Sequence, residues 1–495
     1  MMEEVNTDVL VIGSGGAGLR AAIAARQEGC SVTVISKSSA TRGTTTLISN
    51  GVFGSSGFGM SADEYATLTL DTGCHLNNPS LVKVLAEQIP LRIKELSERG
   101  ARFKEATSGV VALRKPPDSG REVTDVLLSW ARSSGVQIID WVTAAEFIAM
   151  EGRVAACTAV RKDGSRLVFR TGAVVLATGG ASALFRVHDN PVFHVGDGYA
   201  LAGRAGAELR DMEFSQFYPL IASEPHAPRL LIQPFLAEAG ELVNDRGENL
   251  LEKYSLTDAR PVALRARDRL SRALFRECLA GRTVYLDLRG LQDKDWEDPF
   301  AHNVQRTFER RLKCKEKPVR IMPTAHYTMG GVVVDSEGRT SVEGLFVAGE
   351  VACGLHGANR LGGNGLSETL VFGLRAGAAA GRYCRQQGKP PRSSRREDTL
   401  FPDSAPYLSG KLLPSEVLNR IREILWNWCG PVRNKEGLTR AVTELDGLED
   451  QAILCRKATD MAAAIAIWNG LYTAKLIARG ALDRPVSVGA HFRED

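Results

Sequence analysis

Cysteine motifs are missing from this sequence. Nine cysteines stand singly among 495 residues, and no two are spaced as CxxC. Their spacing argues against an iron–sulfur cluster, a structural zinc site or a dithiol redox pair within the chain, so we expect no metal site. An odd number of scattered cysteines is typical of reduced thiols in a cytoplasmic protein.

Charge of one sign and long hydrophobic runs are missing as well. Lys and Arg number 62 against 58 Asp and Glu, which leaves a net charge of +4 and predicts no nucleic-acid or acidic-membrane partner. No segment approaches the roughly 18 consecutive apolar residues that a membrane span needs. The opening MMEEVNTDVLVIG lacks the basic region and cleavage site of a signal peptide. We therefore expect a cytoplasmic protein without a transmembrane segment.

Glycine, by contrast, is abundant and clustered, with 49 residues. The first cluster follows a β-branched strand over 8–12 and precedes an Ala-rich helix and a second strand over 31–35. Its GxGxxG spacing gives a tight turn, a close backbone approach to a pyrophosphate and close helix–strand packing. This βαβ unit predicts a dinucleotide site at Gly13, Ser14, Gly15, Gly16, Ala17 and Gly18.

The type of dinucleotide follows from what comes later in the chain. The second strand ends in Ser36 and Lys37 rather than in an acid, which disfavours NAD as the resident cofactor. Strands ending in glycine recur at 173–180 and 344–350, and Gly196 precedes Asp197 at the start of another helix pattern. Several distant strands thus bring glycine and acidic groups to one crevice, which suits a long ligand such as FAD.

The composition along the chain predicts its domains. Residues 1–212 and 331–385 are glycine-rich and form the predicted nucleotide domain. Residues 213–330 carry more Arg and short helix patterns, which indicates an inserted domain. Residues 386–413 are predicted to form a linker, and 414–495 a helical C-terminal domain.

Four longer strings resemble the succinate dehydrogenase/fumarate reductase flavoprotein family, which includes L-aspartate oxidase. They are DMEFSQFYP at 211–219, HYTMGG at 326–331, GLFVAGEVACGLHGANRLGGN at 344–364 and GAHFRED at 489–495. The resemblance implies an α/β fold: a Rossmann-like two-dinucleotide FAD-binding domain, an inserted α+β capping domain and a helical C-terminal domain. Besides the first glycine cluster, it implies FAD contacts at Ser36, Lys37, Thr44, Thr45, Gly51, Ala177, Thr178, Gly179, Asp197, Glu350, Arg360 and Leu366.

The resemblance also implies the reaction, which is hydride exchange between flavin N5 and a carbon beside a carboxylate. A carboxylate clamp needs Arg forks and a His donor. By resemblance, Arg360 and His326 hold one substrate carboxylate, although a His outside such a motif would be interpreted as a buried side chain bonded to backbone. Arg267, followed by Asp268, matches the family's proton donor, and Glu238 matches its relay glutamate.

Several departures from the family pattern put the substrate in question. Tyr218 stands where the family has a His that helps hold the second carboxylate, and Ala237 stands where it has a Thr. The relay Arg expected after Glu238 has no counterpart, and Gly365 replaces a Ser. Tyr218 can still donate one hydrogen bond, so a smaller or less charged group at that end fits the sequence.

The residue at the position of the covalent flavin linkage also differs from the family pattern. Respiratory members bond FAD covalently through a His, and Thr44 occupies that position here. We therefore expect FAD to be bound non-covalently.

Three functions remain open at this stage. The first is a fumarate reductase/succinate dehydrogenase type of oxidoreductase acting on a small (di)carboxylate; the second is an L-aspartate oxidase. The third is a flavoprotein electron-transfer subunit without its own small-acid substrate. A separate iron–sulfur or other electron-transfer subunit is the expected partner, although the basic stretch 310–315 is more simply interpreted as a solvated face.

Overall fold

The architecture is taken from a computed structural model. It describes residues 3–104, 109–113, 119–225, 230–232, 234–260, 262, 266–292, 308–387, 410–450 and 453–495. Most of the predicted linker at 386–413 lies outside these ranges.

Seventeen strands occur in the described ranges. In chain order they are β1 Glu3–Ile12, β2 Val32–Ser36, β3 Val52–Gly54, β4 Phe103–Lys104, β5 Val110–Leu113, β6 Gln137–Asp140, β7 Val142–Met150, β8 Arg153–Arg161, β9 Arg166–Leu176, β10 Leu209–Arg210, β11 Ser215–Ala222, β12 Glu241–Asn244, β13 Val284–Asp287, β14 Val319–Thr328, β15 Gly331–Val333, β16 Leu345–Val347 and β17 Ala352–Cys353.

Thirteen α-helices occur in the same ranges. They are α1 Gly16–Gln27, α2 Thr45–Ile48, α3 Ala62–Thr72, α4 Pro79–Glu98, α5 Ser119–Ser133, α6 Asp197–Arg204, α7 Pro234–Ala239, α8 Leu250–Lys253, α9 Arg267–Leu279, α10 Asn364–Gln387, α11 Pro414–Trp428, α12 Lys435–Asp450 and α13 Met461–Asp483.

A seven-stranded sheet forms the centre of the molecule, in the order β6-β2-β1-β9-β8-β7 with β16 also paired to β9. The pairs β1–β2, β1–β9, β2–β6 and β9–β16 are parallel, whereas β8 and β7 add an antiparallel edge. Every residue of β2 is buried, because helices cover a parallel sheet on both faces. The predicted βαβ unit is confirmed as β1, α1 and β2.

A second sheet has the order β11-β14-β13-β12, with α9 packed on it. All four strands are antiparallel and come from residues 215–328, inside the predicted insertion. Leu270 and Leu274 of α9 and Leu286 of β13 share one buried cluster, so this unit has a core of its own. The boundaries at 213 and 330 stay a prediction. Two three-stranded sheets, β10-β15-β17 and β3-β5-β4, complete the description.

The predicted C-terminal helices are confirmed as α11 and α13, with α12 between them. Trp426 of α11 is fully buried against Phe217 and Phe275, which attaches these helices to the second sheet. By length and mean hydropathy the segment Ala458–Asp483 could cross a membrane. However, 67% of its most apolar window is buried inside the protein, as in a core helix.

Candidate active site

A cavity of about 1010 Å³ opens where β1, β2, β9 and β16 end, and it continues to residues of β11, β14 and α9. The carboxyl edge of a parallel sheet is the usual ligand site of such folds. The cavity is lined by these predicted cofactor residues: Gly13, Ser14, Gly15, Gly16, Ala17, Ser36, Lys37, Thr44, Thr45, Ala177, Thr178, Gly179, Asp197, Glu350, Arg360 and Leu366.

The two other predicted cofactor residues lie outside the cavity lining as far as the structure describes it. A Cβ at Gly18 would come within 1.9 Å of the Gly13 carbonyl oxygen, so this glycine serves the close packing of α1 on β1. Gly51 has a φ of +65° and accepts a hydrogen bond from the Leu113 backbone N–H at 3.3 Å.

Two helices begin at the cavity. Gly15 has no side chain to cap α1, and the Gly16 N–H donates to Thr46 Oγ1 at 2.9 Å. A Cβ at Gly15 would meet only Thr46 Oγ1 and Thr44 Cβ, at 3.6 and 4.0 Å. The start of α10 is preceded by Gly362 and Gly363, which also line the cavity. Helix N-termini carry free N–H groups and a positive dipole, so both suit an anionic or electron-rich ligand.

Further along the cavity, polar side chains are available to a ribose or adenine. Lys37 and Asp197 form an ion pair at its edge. Thr178 Oγ1 is buried and has no hydrogen-bond partner among the described residues. Together with the glycine turn and the two helix N-termini, these groups fit a ligand of the length and charge of FAD.

Thr44 occupies the position from which a covalent link to flavin would come. Its hydroxyl accepts a hydrogen bond from the Leu47 backbone N–H at 3.3 Å and so caps α2. The side chain at this position therefore has a local structural role and carries no imidazole. That FAD is bound non-covalently stays a prediction.

Two buried titratable groups line the flavin part of the cavity. Burial raises the pKa of Glu350 to about 8, although its Oε1 accepts from the Thr328 backbone N–H at 3.0 Å. Burial, with the positive charge of Lys37, lowers the pKa of His194 to about 3, so this imidazole is neutral beside Thr45 Oγ1 at 3.1 Å. His194 was not predicted, because neither His of HDNPVFHV belongs to a recognisable pattern.

Arg360 is fixed at the inner end of the cavity. It is 6% exposed, and its Nη2 donates to Gln216 Oε1 at 3.0 Å. Gln216 Nε2 in turn donates to the Arg360 carbonyl at 3.0 Å. The guanidinium lies 4.3 Å from the centre of the Tyr327 ring, and its Nε has no partner among the described residues. The Arg360 guanidinium is therefore held by Gln216 and Tyr327, and it keeps N–H donors for an anion.

His326 lies beside this guanidinium on β14. Its Nδ1 is 2.7 Å from Asp189 Oδ2, and Asn190 Nδ2 donates to the His326 carbonyl at 2.7 Å. A carboxylate bonded to one ring nitrogen fixes the orientation of the imidazole and leaves Nε2 for the cavity. Asp189 was missed by sequence reasoning, because it is 137 positions from His326.

Arg267, at the first residue of α9, joins the same group. Its Nη2 donates to the Arg360 carbonyl at 2.8 Å, and its Nε has no partner among the described residues. Burial lowers the pKa of Arg267, against the opposing effect of Asp268. The three predicted residues Arg267, His326 and Arg360 thus converge at one end of the cavity.

The structure corrects the expectation that the Tyr218 hydroxyl donates a hydrogen bond to the substrate. Tyr218 lies in the cavity wall, 5.7 Å from His326 between ring centres, but its hydroxyl donates to the Ile232 carbonyl at 2.7 Å. A phenol has one O–H, so the hydrogen bond expected for a substrate carboxylate is already used. Burial also raises the pKa of Tyr218 well above its usual value.

Glu238 lies away from this group. Arg260 contacts it, with Nη1 3.8 Å from Glu238 Oε2 and 3.0 Å from the Glu238 carbonyl. Glu238 is not among the described residues that line the cavity, and Arg267 donates to the Arg360 backbone instead. A proton relay from Glu238 to Arg267 stays a prediction.

Behind Arg360 lies a buried polar network that the sequence did not reveal. The Tyr327 hydroxyl bonds to Glu368 and lies 3.2 Å from His356 Nε2, which is 3.1 Å from the other oxygen of Glu368. Because Tyr327 stacks on Arg360, this network holds the guanidinium in place.

The fold and the site together define a class of protein. A parallel sheet with a glycine turn and a long cavity suits a dinucleotide, and the cationic group of Arg267, His326 and Arg360 suits an anion. These are the parts of an FAD-dependent flavoprotein oxidoreductase.

The family is shown by comparison with known proteins. The family described as "FAD binding domain" matches residues 8–366, and "Fumarate reductase flavoprotein C-term" matches residues 418–495. The chain belongs to the succinate dehydrogenase/fumarate reductase flavoprotein family, as its motifs predicted. It is an FAD-dependent oxidoreductase of fumarate reductase/succinate dehydrogenase type.

The similar proteins include fumarate reductase subunits and L-aspartate oxidases. One subunit of the fumarate reductase (CoM/CoB) of Methanothermobacter marburgensis is 32% identical over 99% of this chain and 94% of its own length. An L-aspartate oxidase of Saccharolobus solfataricus is 33% identical over 98% and 96%. A solved chain of E. coli quinol fumarate reductase superposes with a TM-score of 0.88 at 27% identity, over 100% of this chain and 92% of that one.

Proposed function

We propose that this protein transfers a hydride between its bound flavin and a carbon beside a carboxylate of a small mono- or dicarboxylic acid, such as fumarate, succinate or an analogue. The observation that supports this most is the convergence of Arg267, His326 and Arg360 at one end of a cavity that fits FAD. FAD supplies the two-electron chemistry at its N5 atom. The chain has to bind the acid, orient it, exclude water and move one proton.

Arg360 and His326 bind the carboxylate in this proposal. Arg360 is held by Gln216 and Tyr327, and His326 is held by Asp189, so neither side chain has to be ordered when the acid binds. A prepositioned clamp places the reacting carbon without a further entropy cost, which is a large share of such a rate enhancement.

Arg267 donates the proton. A guanidinium is ordinarily too weak an acid for this role, with a pKa above about 12. Burial of Arg267 lowers its pKa and so brings the group closer to a usable proton donor. Its bond to the Arg360 carbonyl fixes its distance from the carboxylate clamp.

A separate electron-transfer protein is the proposed redox partner. Several similar proteins are named as subunits, including the flavoprotein subunit of a Mycobacterium tuberculosis fumarate reductase, which is 32% identical. In the described residues the nine cysteines are all unpaired. The electrons that re-reduce the flavin would therefore come from a second protein.

The test is anaerobic reoxidation of the flavin. The full chain loaded with FAD is reduced by dye and mixed with fumarate and with other 2-enoates. Arg267→Gln should keep its flavin but lose turnover by about 100-fold or more, since it removes the proton donor. Because it also removes the bond to the Arg360 carbonyl, the affinity for saturated acids is measured as well and should fall by much less than the turnover. Arg276→Gln, on the same helix outside the cavity, is the matched control.

Failure would be visible in two ways. Acid precipitation that leaves the yellow colour in the pellet would contradict non-covalent FAD. Reduced flavin that no enoate reoxidises would contradict the proposed function and favour a pure electron carrier.

L-aspartate oxidase is the second candidate, favoured by the 33% identity to the Saccharolobus solfataricus enzyme. Aspartate added to the oxidised protein in air would then bleach the flavin and release hydrogen peroxide. Neither signal is expected if the protein acts only on a C–C bond.

A further inference from the structure

One wall of the substrate end, next to His326, is apolar. Tyr218 and Leu231 line the cavity there. Behind them Tyr218 shares a fully buried cluster with Ile232, Leu236 and Ala237, and Leu231 packs against it. Adjacent side chains in this wall therefore offer hydrocarbon to the ligand, and the single polar atom among them is the Tyr218 oxygen.

That oxygen cannot donate to a ligand. Its proton goes to the Ile232 carbonyl at 2.7 Å, and both residues are buried. Toward the cavity Tyr218 therefore presents only lone pairs, and a carboxylate also presents only lone pairs. A carboxylate against this wall would find no donor on Tyr218 or Leu231, and a buried charge that its surroundings do not pair is strongly unfavourable.

The cationic donors available to a ligand at the substrate end lie at the clamp. Arg360 and Arg267 are joined through the Arg360 carbonyl, and each keeps an Nε without a partner among the described residues. Arg269 donates to a backbone carbonyl at 3.0 Å, and Arg272 stacks at 4.6 Å on Phe492 of the C-terminal tail, so both are held by residues outside the apolar wall. The clamp thus accounts for one carboxylate, and the apolar wall offers no donor for a second.

We propose that the substrate is a monoanionic 2-enoate whose far end, against Tyr218 and Leu231, is uncharged. This inference rests on the proposed function and narrows its substrate class. The C=C bond of the enoate accepts a hydride and one proton and becomes CH–CH, while the flavin loses two electrons. The hydride comes from the reduced flavin, the proton from Arg267, and no group leaves.

Binding of saturated acids tests the charge preference without chemistry. The oxidised, FAD-loaded protein is titrated with succinate, monomethyl succinate and butyrate, and the change in flavin absorbance is followed. We expect monomethyl succinate to bind at least about tenfold more tightly than succinate, since only succinate has to bury an unpaired charge. Tighter binding of succinate would overturn the inference.

Two substitutions of Tyr218 separate the loss of its hydroxyl from the gain of a new hydrogen-bond donor. Tyr218→His and Tyr218→Phe both lose the bond to Ile232, but only the imidazole offers a new donor to the cavity. Tyr218→His should shift the preference toward succinate by about tenfold, while Tyr218→Phe should keep the preference for the monoester. Should Tyr218→Phe instead weaken succinate binding selectively, the hydroxyl serves the ligand and the inference is wrong.

Turnover separates this inference from the proposed function. Fumarate and monomethyl fumarate are compared as oxidants of the reduced flavin, and the ratio of their two rates is measured in the wild type and in Tyr218→His. Because the intrinsic reactivities of the two oxidants are the same in both proteins, a change in this ratio reports only on the site. A wild type that prefers fumarate, with a ratio unchanged by Tyr218→His, overturns the inference and leaves the proposed function intact. Inertness toward both oxidants, with no acid bound, overturns both.

Discussion

At the scale of single residues, Glu350 ties the stability of the protein to pH. It is buried just after β16, and Gly180 leaves room for its carboxyl group, since a Cβ there would come within 2.0 Å of Glu350 Oε1. Burial raises its pKa to about 8, and the nearby charge of Glu368 acts in the same direction. In an unfolded chain the pKa of Glu is about 4.3.

The sign of the pH effect follows from this difference. Between about pH 4.3 and 8 the folded chain keeps a proton on Glu350 that the unfolded chain has lost. The free energy of unfolding of the flavin-free protein therefore falls as pH rises through this window, by up to about 1.4 kcal/mol per pH unit from this group. Glu350→Gln should remove this slope in urea titrations from pH 5 to 8. The exposed Glu436→Gln is the control and should retain it; a slope that survives in Glu350→Gln would contradict the assignment.

At the scale of elements, three glycines of α10 decide how closely two helices approach. Gly373, Gly377 and Gly381 are spaced four residues apart and face α1. A Cβ at Gly377 would lie 2.0 Å from the Ala21 carbonyl oxygen, and one at Gly373 would lie 2.7 Å from that of Ala17. Because both helices begin at the cavity, their separation sets the distance between the two N-termini that face the flavin.

We expect Gly377→Ala to push α10 away from α1. The free energy of unfolding should fall by about 1–3 kcal/mol, as in other overpacked interiors, and the affinity for FAD should fall with it. Denaturant unfolding and flavin titration measure the two effects. Gly447→Ala on α12 is the matched control, because a Cβ there meets nothing within 4 Å. That change should stabilise the protein by up to about 1 kcal/mol; equal behaviour of the two variants would refute the packing argument.

At the scale of the whole molecule, the C-terminal tail supports the segment that carries Arg360, a residue of the proposed substrate clamp. The Ala490 backbone N–H donates to the Ala358 carbonyl at 3.0 Å, two residues before Arg360. The buried Arg433 guanidinium contacts His491 Nδ1 at 2.7 Å and donates to the Glu213 carbonyl at 2.9 Å. The tail therefore connects the helical domain, the start of β11 and the segment that carries Arg360.

Removing residues 489–495 should weaken the clamp more than the flavin site. We expect kcat/KM for the acid to fall at least about tenfold, since small displacements of positioning groups cost about that much, while the purified protein stays yellow. Steady-state kinetics and the flavin content per chain measure the two. The control is Glu494→Gln, which breaks only an ion pair with Arg276 in which both side chains are more than a third exposed, and it should change kcat/KM little. A truncated chain with normal kcat/KM would show that the tail is not part of the clamp.

Much of the fold was predictable because its signals are local. The glycine turn after β1, the buried strands and the long helices of the C-terminal region each depend on residues within one segment of chain. The antiparallel strands β7 and β8 were not predicted although their turns are local: Glu151 and Gly152, both at positive φ, join β7 to β8, and Asp163-Gly164 leads from β8 to β9. The sheet β3-β5-β4 was not predicted because its strands are two to four residues long and β3 lies far from the other two in the chain.

The site was predictable where a motif fixed the residue type. Arg267, His326 and Arg360 were placed by matching family strings, and the structure brings them together. Gln216 was visible in the sequence but had no role until its amide was found between Arg360 Nη2 and the Arg360 carbonyl.

The sequence by itself determined the family, the flavin-binding turn and the identity of the clamp residues, because each is written in a short run of neighbours. Only the tertiary structure decided which hydrogen-bond partners the residues of the site have. The Tyr218 proton goes to a carbonyl 14 positions away, and His326 pairs with a carboxylate 137 positions away. Hydrogen-bond partners depend on distance in space and on burial, and folding sets both.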